Sequence, residues 1–162
     1  MDTGLFSIRL ATPSDAGTIC MHRRAMFQDM RSTTPEQAQA GDAAFQRWLP
    51  DRLADDEYRA WFAMNARGEV VAGVGLWLIP WAPSPDDQSP LRGYVMNVYT
   101  RPECRRQGLA RRLMNTLIEW CCQQNIRLVV LHASKDGRAL YESLGFRQTN
   151  EMRLQLAEEG NE

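Results

Sequence analysis

Apolar and polar positions follow two different periods along the middle of the chain. Residues 94–100 are rich in aromatic and β-branched side chains, which predicts a strand, and Pro102 ends it because proline has no N–H for a sheet ladder. Beyond a short basic turn, Leu109, Leu113 and Leu117 recur at helical spacing with further apolar residues one position behind them. The pattern therefore predicts strand, tight turn and amphipathic helix over residues 94–122.

The same two periods predict the remaining elements. A helix begins at Thr12 or Ser14 and runs toward Met30, and a second begins at Asp42 and is broken by Pro50. Ser134 caps a short helix over residues 135–144, which Gly145 ends in a left-handed conformation. The other predicted strands are residues 7–11, 58–65, 69–79, 127–133 and 151–156.

Glycine, proline and polar residues mark the connections. Arg67-Gly68 predicts a hairpin turn, and Gly73 and Gly75 predict a bulge or a close backbone approach inside a strand. Residues 31–42 are polar and small, so we expect a loop, with or without a short helical piece after Pro35, and residues 80–90 form a proline-rich loop. The order β-α-α-β-β-β-α-β-α-β indicates one α/β domain over residues 1–162 with a mixed sheet and a frayed tail after about residue 157.

Composition and charge narrow the class of protein. The 162 residues are 44% hydrophobic and 24% charged, with a net charge of −1, which favours an ordinary globular protein and argues against nucleic acid or an anionic membrane as partner. No apolar run approaches the roughly 20 residues that span a bilayer, and the N-terminus lacks the pattern of a secretory signal. Four cysteines without framework spacing predict reduced thiols and a cytoplasmic protein, and two histidines form no zinc pattern.

The turn between the central strand and helix carries the first candidate chemistry. It reads Arg105-Arg106-Gln107-Gly108-Leu109-Ala110, and it opens a helix whose first N–H groups have no intrahelical partner. These groups carry a partial positive charge, glycine lets a phosphate approach the backbone, and two arginines add charge. The turn therefore predicts a pyrophosphate-binding site.

This turn resembles the Gln/Arg-x-x-Gly-x-Gly/Ala motif of the GNAT superfamily of N-acetyltransferases. Residues 139–146 (ALYESLGF) resemble the second signature of that family, and residues 8–16 (IRLATPSDA) resemble its usual opening. The resemblance implies a GNAT-like fold, with a central mixed twisted sheet flanked by helices. It also implies transfer of an acetyl group from acetyl-CoA, without a metal, to a primary amine that attacks directly in a ternary complex.

The resemblance also assigns roles to residues. Backbone amides of about residues 105–110 would bind the pyrophosphate of coenzyme A, and residues 96–100 would pair with its pantetheine arm. A bulge would direct the Val98 N–H toward the thioester carbonyl, and Tyr141 would donate to the departing thiolate. The implied catalytic residues are Tyr141 and Val98. The implied cofactor-binding residues are Val98, Thr100, Arg105, Arg106, Gln107, Gly108, Leu109, Ala110, Arg111, Ser134 and Tyr141.

The general base and the acceptor site stay open at the level of sequence. Cys104 adjoins the turn, but direct transfer is simpler than a covalent intermediate. Tryptophans could line an acceptor pocket and Asp86 and Asp87 could attract an amine, or these residues could be core and solvated surface. The candidate bases are Tyr94, Asn97, His132, Glu36, Asp42 or water, and the candidate pocket residues are Trp48, Trp77 and Trp81.

Two other classes of function compete with the enzyme. A non-catalytic acyl-CoA-binding sensor or regulatory domain would keep the turn and lack a base. An RNA-associated module would use the arginines around the turn, but the near-neutral net charge of the chain argues against RNA binding. Small-molecule amines and protein or peptide amines are both compatible acceptors, and the sequence chooses neither between acetyl and longer acyl donors nor between a monomer and a homodimer.

Overall fold

The computed structural model describes residues 5–156, which fall into two compact units that divide between His132 and Ala133. The first unit contains a five-stranded sheet in the order β1-β2-β3-β4-β5, antiparallel except for the parallel pair β4–β5. The strands are β1 (Phe6–Leu10), β2 (Tyr58–Asn65), β3 (Val70–Pro80), β4 (Leu91–Thr100) and β5 (Val129–Leu131). This mixed sheet confirms the predicted fold class.

Helices of the first unit cover both faces of the sheet. They are α1 (Ala16–Met30), α2 (Pro35–Ala54) and α3 (Leu109–Gln123). Successive strand residues point to opposite faces, so β2 shows which helix lies where. Tyr58 and Phe62 belong to the buried cluster formed with α1 and α2, whereas Trp61 packs on Trp120 of α3 at 5.8 Å between ring centres. The α1–α2 face is the one toward which Tyr58 and Phe62 of β2 point.

The second unit begins at Ala133 and contains α4 (Arg138–Ser143). Ser134 precedes the helix and its Oγ accepts a hydrogen bond from the Gly137 N–H at 3.1 Å. Gly145 follows the helix at φ +96°, as the predicted left-handed stop requires.

Two predictions about the α1–α2 connection were wrong. Most of the expected loop belongs to α2, which begins at Pro35 after a Thr34 cap, because the Thr34 side chain accepts from the Gln37 N–H and Gln37 reciprocates. Asp42 is therefore inside the helix rather than at its cap. Pro50 does not break α2 either. Its cost of roughly 3 kcal/mol is offset by the stripe on both sides of it, where Phe45, Leu49 and Leu53 are buried.

The predicted strand over residues 151–156 is also wrong, since these residues form no strand. Met152, Leu154 and Leu156 alternate with polar residues but are 94%, 82% and 79% exposed. Alternation alone does not make a strand without a ladder partner. The predicted frayed tail after residue 157 lies outside the described residues. Among residues 5–156, no helix has both the length and the apolar character needed to cross a membrane.

Candidate active site

The predicted pyrophosphate turn is an exposed segment with unused backbone donors. Residues 105–108 are exposed, and Arg106 and Gly108 have positive φ angles of 62° and 77°. The first helical hydrogen bond of α3 runs from the Arg112 N–H to the Gly108 carbonyl at 3.0 Å. Within the described chain, no oxygen accepts a hydrogen bond from the N–H groups of residues 106–110. These donors converge on the helix N-terminus, where an anion is favoured.

Gly108 keeps the approach to this turn open. A Cβ built on it would meet no atom within 4 Å, so the space beside the backbone is empty of protein. The positive φ of Gly108 also favours glycine over any residue with a side chain. A phosphate can therefore reach the N–H groups of the turn.

Arg105 has a structural task in the turn rather than a free charge. Its guanidinium forms an ion pair with Asp29 of α1 and its Nε donates to the Thr100 carbonyl at the end of β4 at 3.0 Å. These contacts tie the turn to a helix and a strand on either side of it. Arg105 thus holds the backbone donors in place, a role that sequence reasoning did not assign.

A β-bulge lies in β4 where the resemblance places the thioester. Gly73 pairs with Tyr99 and Gly75 pairs with Met96, so the single residue between the glycines faces both Asn97 and Val98. Asn97 has φ +57°, the left-handed conformation that one bulge type uses. A bulge removes backbone groups from the ladder and leaves them able to bind a ligand. Val98 follows the left-handed residue and is half-buried.

Asn97 is held in the bulge by side chains from two other elements. Its Nδ2 donates to the Tyr58 hydroxyl of β2 at 2.8 Å, and its Oδ1 accepts from Arg23 Nη1 of α1 at 2.8 Å. Asn97 is 5% exposed, so both hydrogen bonds are shielded from water. We refer to Arg23, Asn97 and Tyr58 as the bulge triad. Asn97 does not suit the role of general base, because a side-chain amide is not basic and both of its polar atoms are engaged in these hydrogen bonds.

Glycines of β3 make space for the bulge triad. A Cβ on Gly75 would lie 1.8 Å from the Tyr58 hydroxyl oxygen, so Tyr58 passes over β3 where that residue has no side chain. A Cβ on Gly73 would lie 2.9 Å from Nδ1 of His22 in α1. The close approach that these glycines predicted is therefore confirmed. Burial, with a smaller effect of Arg101, lowers the pKa of His22 to about 4, so this 4% exposed imidazole is neutral at neutral pH.

A row of aromatic side chains crosses the same face of the sheet. Trp48 of α2 packs edge-on against Trp77 at 5.1 Å, and Trp77 packs against Tyr94 at 6.5 Å between ring centres. The row ends at His132, whose Nδ1 lies 2.8 Å from the Tyr94 hydroxyl. Two of the predicted base candidates are thus hydrogen-bonded to each other. Of the predicted pocket tryptophans, Trp48 and Trp77 meet, whereas Trp81 stacks under Arg92 at 3.8 Å.

The other predicted acids have local tasks. Glu36 lies in the first turn of α2, where it complements the helix dipole, and Asp42 forms an ion pair with Arg24 at 2.5 Å. Asp87 organises the loop after β3, because its Oδ1 accepts from the Ser89 N–H at 3.0 Å. Cys104 ends a single 3-10 turn, Pro102–Cys104, and its N–H donates to the Arg101 carbonyl. No group of three or more metal-ligating side chains occurs in residues 5–156.

Tyr141 of the second unit is a buried phenol. It lies on α4, is 8% exposed, and its ring contacts Phe146 edge-on at 6.0 Å. A Cβ on Gly137 would lie 2.7 Å from the Tyr141 ring, so the glycine admits the ring against its own helix. Burial raises the pKa of the Tyr141 hydroxyl, which keeps it protonated and able to donate at neutral pH.

Comparisons with known proteins give the family context for this geometry. The model of the Acetyltransferase (GNAT) family matches residues 23–146. No curated protein matches the chain. A GCN5-related N-acetyltransferase from Ralstonia eutropha JMP134 is 33% identical, superposes with a TM-score of 0.88, and the match covers 93% of this chain and 98% of that one.

Two further solved structures extend the comparison. A predicted acetyltransferase from Clostridium acetobutylicum, solved with acetyl-CoA, is 25% identical with a TM-score of 0.84, over 94% of this chain and 96% of that one. A ribosomal-protein-alanine N-acetyltransferase from Brucella melitensis biovar Abortus 2308 is 20% identical with a TM-score of 0.67, over 94% and 98% of the two chains. The second of these shows a shared fold alone.

Proposed function

Because the chain belongs to the GNAT acetyltransferase family, we propose that it is an N-acetyltransferase that moves the acetyl group of acetyl-CoA to a primary amine by direct attack in a ternary complex. The observation that carries the proposal is the pairing of two features in the first unit. A bulge at Asn97–Val98 interrupts β4, and an exposed turn with unpartnered N–H groups follows it along the chain. One feature suits a thioester and the other suits a diphosphate.

The donor would be held by backbone groups. The N–H groups of residues 106–110 would bind the pyrophosphate beside Gly108, whereas the Arg105 N–H already donates to the Pro102 carbonyl at 3.3 Å. Arg111 would add positive charge at the first turn of α3. Strand residues from Val98 to Thr100 would pair with the pantetheine arm. The Val98 N–H would stabilise negative charge that develops on the acetyl oxygen, a contribution typically worth about 10²–10³ in rate for one such donor.

Proton transfer would involve two tyrosines. The ammonium of the acceptor must lose a proton before its nitrogen can attack, and the Tyr94–His132 pair supplies a hydrogen-bonded acceptor for it, directly or through water. As the C–N bond forms and the C–S bond breaks, the Tyr141 hydroxyl would donate a proton to the departing thiolate. Burial raises the pKa of the Tyr141 hydroxyl, so the group enters the reaction protonated.

An acceptor screen with detection of the released thiol tests the proposal. Purified protein is mixed with acetyl-CoA and a broad set of amines, amino acids and peptide N-termini, and acceptor-dependent thiol release with an acetylated product is expected. Longer acyl-CoA donors are compared in the same assay. Binding of acetyl-CoA without turnover on any acceptor would instead indicate a sensor or regulatory domain. The cytoplasm is the proposed compartment, consistent with free cysteines at positions 20, 104, 121 and 122.

A further inference from the structure

Arg23 of α1 presents a guanidinium group that is fixed in place before any ligand binds. Its Nη1 donates to Asn97 Oδ1 at 2.8 Å. Its central carbon lies 4.9 Å from the centre of the Phe27 ring and 4.4 Å from that of the Phe45 ring. Two aromatic contacts and one hydrogen bond restrict the rotation of a side chain that is normally flexible, which lowers the entropic cost of using it again.

The positive charge of Arg23 has no carboxylate partner among residues 5–156. Its hydrogen-bond acceptor is a neutral amide, and the neighbouring acid, Asp42, is already bound by Arg24 at 2.5 Å. Burial lowers the pKa of Arg23, the sign of a cation that has lost water without gaining a full counter-charge. By contrast, Arg9 and Arg105 each hold an aspartate. A half-buried cation without an anion is costly, and an arriving anion offsets that cost.

One edge of the guanidinium remains available. The contact with Asn97 uses Nη1, and no described residue accepts a hydrogen bond from Nε or Nη2 of Arg23. Neither atom is among the buried side-chain nitrogens that lack a partner, so both reach solvent. The Nε–Nη2 edge has the spacing at which arginine binds a carboxylate through two parallel hydrogen bonds.

The position of Arg23 connects this edge with the reacting group. Asn97, which Arg23 contacts, directly precedes Val98, the residue whose N–H is proposed to polarise the acetyl carbonyl. With the acetyl carbonyl of the donor at Val98, a group bound at Arg23 would belong to the acceptor. We infer that the acceptor is an amine that also carries a carboxylate, as an amino acid does, and that the Nε–Nη2 edge of Arg23 binds that carboxylate. The inference rests on the proposed function.

The test on the unaltered protein compares acceptors that differ in the group next to the amine. Amino acids are assayed against their α-amides, against the corresponding amines without a carboxyl group, and against an aminoalkyl phosphate. A two-point charged hydrogen bond should give at least one amino acid a kcat/KM roughly tenfold or more above its amide. Equal turnover of the amino acid and its amide, preferred turnover of peptide N-termini, or preference for the phosphate would overturn the inference.

The test on variants asks whether Arg23 causes the preference. In Arg23→Gln the ratio of kcat/KM for the amino acid over its amide should fall to about one, mainly through KM of the amino acid. Arg23→Lys retains a charge without the fork and should keep part of the ratio. Arg47→Gln, which removes an exposed arginine of α2, is the matched control and should leave the ratio unchanged.

The outcomes separate three explanations. If Arg23 only holds Asn97, Arg23→Gln slows all acceptors equally and the ratio persists, which overturns the inference and leaves the proposed function standing. If acetyl-CoA binds and no amine reacts, the proposed function itself fails and the acceptor assignment falls with it. Thermal unfolding of each variant identifies any that does not fold. If Arg23→Gln does not fold, the ratios of kcat/KM for the amino acid over its amide in the unaltered protein and in Arg23→Lys decide whether Arg23 binds the carboxylate.

Discussion

Replacing Gly75 by alanine would place a methyl group where the Tyr58 side chain passes over β3. The added Cβ would lie 1.8 Å from the hydroxyl oxygen and 2.5 Å from ring carbon Cζ, far inside any tolerated contact. Tyr58 is 1% exposed, so it cannot turn into solvent without opening the core between β2 and the helices. Its ring must shift, and its hydrogen bond to Asn97 at 2.8 Å is the contact that the shift breaks.

The cost follows from two separate effects. Forcing a methyl group into a packed interior costs about 1–3 kcal/mol. Leaving the buried Asn97 amide without an acceptor costs a further ~1–3 kcal/mol. The free energy of unfolding of Gly75→Ala should therefore fall by roughly 2–6 kcal/mol. In a Tyr58→Phe background the hydrogen bond and the hydroxyl oxygen nearest the new methyl group are both absent, so the added cost of Gly75→Ala should be smaller by at least ~1–3 kcal/mol.

Urea unfolding of the two single variants and the double variant measures this coupling. Gly41→Ala is the control, since a Cβ at this α2 position meets nothing within 4 Å and alanine should stabilise the helix by up to about 1 kcal/mol. Additive costs for Gly75→Ala and Tyr58→Phe, or a Gly75→Ala protein within about 0.5 kcal/mol of the unaltered one, would refute the bulge triad.

Three more predictions address the donor site, the leaving group and pH. Gly108→Glu should abolish acetyl-CoA binding in calorimetry, because it adds a negative charge and strains the backbone at the proposed pyrophosphate site. The control is Gly68→Glu, at the same φ of +77° in a hairpin, which should lower only stability. Unchanged affinity of Gly108→Glu for acetyl-CoA would contradict the pyrophosphate assignment. Tyr141→Phe should lower kcat by roughly 10²-fold or more at unchanged acetyl-CoA affinity, and equal turnover would remove Tyr141 from the mechanism. Burial lowers the pKa of His22 from 6.5 to about 4, so the stability that depends on neutral His22 is complete above pH 6.5 and is lost as pH falls toward 4, by up to about 3 kcal/mol. Urea midpoints between pH 7 and 4 should show this loss relative to His22→Gln, and parallel curves would count against it.

Local patterns predicted the elements whose signals lie within one segment. The stripe led by Leu109 and Leu113 predicted α3, and the signal of the Gly108 turn is contained in six consecutive residues. The start of α2 was also readable, because Thr34, Pro35 and Gln37 form a capping box with proline at the first helical position. The small and polar residues that follow Gln37 are typical of a loop, and they led to the wrong prediction for this segment. The burial of Phe45, Leu49 and Leu53 in the tertiary structure stabilises α2 on both sides of Pro50, so the helix continues through the proline.

Contacts between residues far apart in the chain could not be predicted from local sequence patterns. The contacts of Asn97 join residues 39 and 74 positions apart, and no spacing rule relates α1 to β4 at that distance. The sequence indicated these contacts only indirectly, through Gly73 and Gly75, because glycine is otherwise unfavourable in the interior of a strand. The alternation at Met152 and Leu154 misled for the opposite reason, since a strand depends on a partner that the segment itself does not contain.

The bulge triad explains how a backbone N–H can be positioned without a catalytic side chain of its own. A left-handed asparagine is only modestly unfavourable, but it is unstable as a bulge unless its side chain is satisfied on both sides. Here Tyr58 supplies the acceptor from β2, across the glycines of β3, and Arg23 supplies the donor from α1. The direction of the Val98 N–H is therefore set by α1 and β2 together. It follows that a substitution at Tyr58 should change catalysis through Asn97, whereas one at Val98 that keeps the backbone in place should not.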